Sequence, residues 1–148
     1  MIRSALLVCF SLLLSAQVCS AEMNETRAKY NYQMFCQGCH TQDGMGGRGV
    51  PQLKDFIGHF PKSKKGREYL VRVPGSANSV LSDLQLAEVL NWMITNFGEG
   101  SVAAAWRPYD VDEVSKLRKN PLMEVLQYRR DLVAELTSQN KIMKVENE

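Results

Sequence analysis

The chain has 148 residues, 45% of them hydrophobic and 23% charged, with a formal net charge of +2. That length holds one domain once a targeting segment is set aside, and the composition is that of an ordinary folded protein, which excludes fibrous and wholly disordered classes. So small a net charge, with scattered basic residues and no aromatics interleaved among them, gives no footprint for nucleic acid.

At the N-terminus Arg3 precedes the apolar run Ala5 to Leu14, which is too short to span a bilayer and reads as a secretory signal. Small residues at Ser20 and Ala21 place the cut after Ala21, so residues 1–21 are the expected signal segment; a cut after Ala16 and an uncleaved anchor are the alternatives. The domain is expected to be exported to the periplasm in either case. No later apolar run approaches the roughly 20 residues that a membrane span needs. Cys9 and Cys19 leave with the signal, so the mature chain keeps only Cys36 and Cys39.

A helix is predicted from Thr26 to about Gln37, a stretch free of Gly and Pro with Tyr30 and Met34 at helical spacing. Gly38, then Gly44, Gly46, Gly47 and Gly49 with Pro51, predict a loop whose backbone can pass close to a flat ligand. Leu53 to Phe60 reads as a short helical turn, Lys62 to Lys65 as an exposed basic connection ending at Gly66, and Glu68 to Val73 as a short helix stopped by Pro74 and Gly75. The clearest helix begins at the cap Ser82, with Asp83 in its first turn, and ends at Phe97 before Gly98; Leu86, Leu90, Met93 and Phe97 share one face. Gly98 to Pro108 is a connector, Val111 to Lys119 and Pro121 to about Leu136 are two further helices, and the tail after Thr137 is expected to fray. No repeat and no alternating segment is present, so the expected class is all-α. The expected organisation is a domain over residues 22–100 followed by a helical extension over 101–148.

Cys36-Gln37-Gly38-Cys39-His40 fits C-x-x-C-H, the pattern for covalent haem attachment, in which two thiols add to porphyrin vinyl groups and the next imidazole ligates iron. One haem c is the expected cofactor, held by Cys36 and Cys39 with His40 as proximal ligand. A disulfide between the two cysteines closes too small a loop to stabilise much chain. A thioredoxin-like redox pair needs a strand leading in, whereas a helix leads in here, and a structural zinc site needs four ligands where the mature chain offers these cysteines, His40 and His59.

The helix leading into CQGCH, the polar segment Thr41, Gln42, Asp43 ahead of the glycines, and the later helix Leu-Ser-Asp-Leu-Gln-Leu-Ala-Glu-Val-Leu-Asn-Trp together resemble the class I cytochrome c family over roughly Thr26 to Phe97. The resemblance implies that the first and last of these helices cross and close around the haem with Trp92 near their contact. It also implies a distal methionine in the loop before the last helix, and that loop, Arg72 to Leu81, contains none. Met93 is the alternative distal ligand, although its place in the apolar stripe reads more simply as core. His59 could give a bis-histidine site, Met45 and Met123 are weaker options, and an open sixth position is a further one.

Function follows as an electron carrier between a donor dehydrogenase and a downstream acceptor, not an enzyme. A ligand-binding haem protein with an open distal site, and a fixed redox subunit of a larger enzyme, are the alternatives. Lys54, Lys62, Lys64, Lys65, Arg67 and Arg72 outnumber Asp55 and Glu68 over that stretch, which offers a docking face for an acidic redox partner or a merely solvated loop. Leu122, Leu126, Leu132 and Leu136 of the extension are expected to pack back on the core rather than to receive a partner.

Overall fold

The computed structural model describes residues 23–47 and 49–140, so the expected signal segment 1–21 with Cys9 and Cys19, and the tail beyond Asn140, lie outside the described residues. In chain order the helices are α1 Glu25–Phe35, α2 Gln37–His40, α3 Lys64–Arg72, α4 Pro74–Ala77, α5 Asp83–Phe97, α6 Val111–Leu117 and α7 Val125–Asn140. Turns of 3₁₀ helix cover Ile57–Lys62 and Glu99–Ser101. Among the described residues no strand occurs and no helix is long and apolar enough to cross a membrane.

α5 is the centre of the molecule. Ser82 accepts from the backbone N–H of Gln85 while the Gln85 side chain accepts from the Ser82 N–H, a reciprocal cap that fixes the start where the sequence placed it. The expected stripe Leu86, Leu90, Met93 and Phe97 is buried, but so are Val89 and Ile94 on the other sides, because further elements cover the helix all round. α1 packs across it with the Tyr32 ring centroid 5.1 Å from Trp92 and 5.2 Å from Phe97, the crossing that the resemblance implied. The crossing is also pinned by charge: Glu88, wholly buried on α5, accepts from Arg27 Nε at 2.7 Å, from Arg27 Nη2 at 2.6 Å and from the Asn24 N–H at 3.0 Å.

The basic connection expected over Lys62 to Lys65 is instead half helix. Ser63 caps α3 by accepting from the Gly66 N–H at 3.0 Å, so the helix starts at Lys64. Gly66 is tolerated inside it because a Cβ there would meet the Phe60 carbonyl oxygen at 2.0 Å, a closeness that outweighs the poor helix propensity of glycine.

The extension shares the core. Tyr109, Val114, Leu122, Leu132 and Leu136 belong to the same buried cluster as Tyr32, Leu90 and Ile94. The Asn91 side chain on α5 grips the incoming backbone twice, accepting from the Tyr109 N–H at 2.7 Å and donating to the Tyr109 carbonyl at 2.9 Å. Of the four leucines expected to pack back, three do; Leu126 is 67% exposed. α7 begins at Val125, not Pro121, since the Leu122 N–H is spent on the Arg72 carbonyl at 2.8 Å, and it runs to Asn140, past the point where fraying was expected.

Arg118 ties the extension to the segment between α4 and α5. Its guanidinium donates to the carbonyls of Ala77, Ser79 and Leu81 and pairs with Asp83 at 2.9 Å. Arg118→Met should therefore cost about 2 kcal/mol, the scale of losing hydrogen bonds to a charged donor from half-buried carbonyls. A shift of the urea midpoint, with faster amide exchange through residues 77–83 than elsewhere, checks it; a midpoint equal to wild type would show that the ties carry no energy.

Candidate functional site

α1 ends at Cys36, whose N–H bonds the Tyr32 carbonyl at 2.9 Å, and the chain at once makes the single turn of α2, with Cys39 and His40 N–H groups at 3.2 and 3.0 Å from the Cys36 carbonyl. Helical spacing of three and four residues puts Cys36, Cys39 and His40 on one side of that turn, which is what C-x-x-C-H needs to present both sulfurs and the imidazole together. Both thiols are free, Cys36 half-buried and Cys39 exposed. Burial, and then the neighbouring Cys39, push the Cys36 thiol up to about 11, so it stays protonated, the reverse of the depressed thiol in a redox pair. Among the described residues no three His, Cys, Asp or Glu side chains converge to hold a metal ion, so the zinc alternative has no ligand set.

Beyond His40 the chain turns back through Thr41, at φ +63°, whose carbonyl accepts from the Tyr32 hydroxyl at 2.5 Å and whose own hydroxyl donates to Asp43 at 2.6 Å. The glycines first serve this fold-back. Gly44 sits at φ +77° with a Cβ position 2.9 Å from the Phe97 ring, and Gly46 at φ +73° with one 2.4 Å from the Val50 carbonyl.

His40 lines a cleft of about 260 Å³. Val50, Pro51, Gln52 and Leu53 from the loop form one wall, and Ile57, Phe60, Tyr69 and Leu70 another. α4 and the residue before it contribute Val73 to Ser76, α5 contributes Leu90 and Met93, and α7 closes the cleft with Val125, Leu126 and Arg129. The His40 Nδ1 is buried without a partner of full hydrogen-bond geometry. Burial lowers the pKa of this ring while the Pro51 backbone pulls the other way in part, leaving a neutral imidazole, the form that ligates metals. A flat, mostly apolar group fits these residues: an apolar cleft, a neutral ring with an unsatisfied nitrogen, and two free thiols on the same turn as that ring.

Of the sequence-predicted ligands the structure brings His40 and Met93 to one cleft. Met93 is 6% exposed, which satisfies its reading as core as well. His59 is not among the residues lining the cleft; its Nδ1 is 3.2 Å from Lys62 Nζ and its ring edges against Phe56 at 5.7 Å. Met45 and Met123, 48% and 88% exposed, also stand outside it. The Arg72–Leu81 segment, where the resemblance implies a methionine, presents Val73, Pro74, Gly75 and Ser76.

In the basic stretch Arg67 pairs with Glu113 at 2.7 Å, Arg72 donates to the Asn120 carbonyl at 2.7 Å, and Lys65 pairs with Glu135 at 2.7 Å. Half of the expected docking charge is thus turned to the extension, while Lys62 and Lys64 remain exposed. Sequence reasoning missed Pro51 as a neighbour of the His40 ring and Arg129 as a cleft residue. The proline was visible only as loop punctuation, and nothing local marks an arginine so far along the chain.

No family model matches the chain. It is similar to cytochrome c-552 of Thermus thermophilus, 31% identical over 118 residues, an alignment covering 66% of this chain and 90% of the relative. The same identity over 118 residues holds for a second cytochrome c-552, from another strain of Thermus thermophilus, with 80% of that relative covered.

Proposed function

Since the chain belongs to the class I c-type cytochromes, we propose that it is an exported electron carrier with one haem c, bonded at Cys36 and Cys39 and ligated by His40. The observation that carries this reading is the placement of His40, a buried neutral imidazole, in an apolar cleft on the same single turn as two free thiols. When bound, the haem supplies a one-electron ferric/ferrous couple. The chain does the rest. The Pro51 backbone beside Nδ1 favours the tautomer that leaves Nε2 for the metal. Ile57, Leu70 and Leu90 exclude water from the cleft, and a low-dielectric surround is one of the means by which a protein sets a redox potential. Met93 is the distal ligand in this reading.

The donor is a periplasmic dehydrogenase or similar reductant, and the partners are acidic redox proteins that meet the exposed lysines of the 54–72 stretch, where complementary charge speeds encounter. A second reading, a haem protein that binds small ligands, draws support from the α4 wall, whose four cleft residues include none of the usual haem ligands.

Optical and magnetic circular dichroism spectra of the purified exported protein decide between them. Haem bands that survive acid–acetone extraction, with a near-infrared methionine charge-transfer band that Met93→Leu abolishes, are the expected result. A high-spin spectrum that shifts with carbon monoxide would move the assignment to ligand binding, and a colourless polypeptide after extraction would end the cytochrome reading.

A further inference from the structure

The cleft is apolar except at one corner. Arg129, on α7, is the one fully charged side chain among the described residues that line it, His40 being neutral. Its guanidinium carbon lies 5.3 Å from the centre of the Phe56 ring, a weak cation–π contact, and no carboxylate among the described residues pairs with it. The neighbouring arginines are committed elsewhere, Arg67 to Glu113, Arg72 to Glu68 and the Asn120 carbonyl, and Arg130 to Gln127. Tyr69 shares the corner: burial raises its hydroxyl's pKa, and Arg129 is near enough to oppose that rise. A half-buried guanidinium facing an apolar cleft without an anion is an unfavourable arrangement unless an anion completes it.

We infer that Arg129 of the extension is the counter-ion of the haem's carboxylate side arms, with the Tyr69 hydroxyl beside it. This rests on reading the cleft as a haem site. The extension is then part of cofactor binding: residues 101–140 deliver a positive charge to the cleft that residues 22–100 alone leave without one among the described residues. An arginine suits the task because its planar fork matches a carboxylate and stays charged at every working pH.

The sign of the effect follows from charge. A cation beside the haem carboxylates disfavours ferric iron relative to ferrous and holds the carboxylates ionised. In the intact haem protein, Arg129→Leu should lower the midpoint potential and make it depend on pH in the mildly acid range, where freed carboxylates take up protons. Arg129→Lys should restore the wild-type behaviour in part, and Arg130→Leu, one position along and exposed, should leave it unchanged. A potential in Arg129→Leu that matches Arg130→Leu at every pH overturns the inference. Should Arg129→Leu fail to fold, isotope-edited infrared spectra of the wild type with carbon-13 in the haem carboxylates serve instead: ion-paired frequencies support the assignment, and those of solvated carboxylates refute it. Wild-type protein without covalent haem would sink the parent reading and this one together, whereas retained haem with an indifferent potential sinks this one alone.

Discussion

Alanine in place of both Cys36 and Cys39 abolishes covalent haem: acid–acetone extraction leaves the polypeptide colourless, and its intact mass equals that of the bare processed chain. Either single replacement keeps one link and therefore part of the colour. The reason is in α2, one turn that holds both thiols and His40 on one side, with neither sulfur bonded to the other. Each thiol adds its S–H across a vinyl double bond, so attachment needs no oxidant, and a Cys36 thiol held protonated by burial is in the right form to begin it. The double variant also loses stability. A cleft of about 260 Å³ left unfilled corresponds to an upper bound of about 6 kcal/mol at the cost measured for unrelaxed cavities, and an open cleft that partly collapses will show less. Retention of haem on the double variant after extraction would show that the anchors lie elsewhere.

Arg27→Met is expected to be the most damaging change outside the cleft, at about 3 kcal/mol, because it leaves the Glu88 carboxylate buried with only the Asn24 N–H. The pH dependence then reverses. Burial alone pushes the Glu88 carboxyl up, but the hydrogen bonds from Arg27 and the Asn24 backbone outweigh it, and the folded pKa lies below the ordinary 4.5. In the wild type this group therefore contributes stability that is fully present above that ordinary value and is lost as pH falls through the depressed one. Without Arg27, burial dominates, the folded pKa rises above 4.5, and acidification to the point where Glu88 takes a proton narrows the gap to wild type. Urea midpoints of both proteins at neutral pH and near pH 4, followed by far-ultraviolet circular dichroism, measure this; a gap that widens in acid would show that Glu88 is not paired as described.

The parts of this fold that were legible in the sequence are those set by local chemistry. Ser82 and Gln85 write the start of α5 into four residues, and C-x-x-C-H is a local spacing whose meaning does not depend on the rest of the chain. Where contacts distant in sequence decide, the sequence misleads. Gly66 looks like a helix breaker, yet the closeness of Phe60 selects glycine inside α3. Pro121 looks like the first residue of the last helix, yet the Leu122 backbone is bonded to Arg72. Lys65, Arg67 and Arg72 look like docking charge, and their partners Glu135, Glu113 and Asn120 come from a segment that nothing in the basic run itself announces. The iron-binding turn is visible for the same reason that the cleft around it is not: the first is five consecutive residues, and the second is assembled from six separate stretches.

Order of synthesis gives the shared core a further meaning. The attachment turn is among the first folded residues to leave the ribosome or a translocation channel, whereas Val125, Leu126 and Arg129, which close the cleft, are among the last. Until α7 arrives, the cleft is open on the side it will cover. A bulky planar group can thus be delivered and bonded sideways into a half-built protein, and the final helix latches behind it, so that biogenesis needs no later unfolding to admit its cargo.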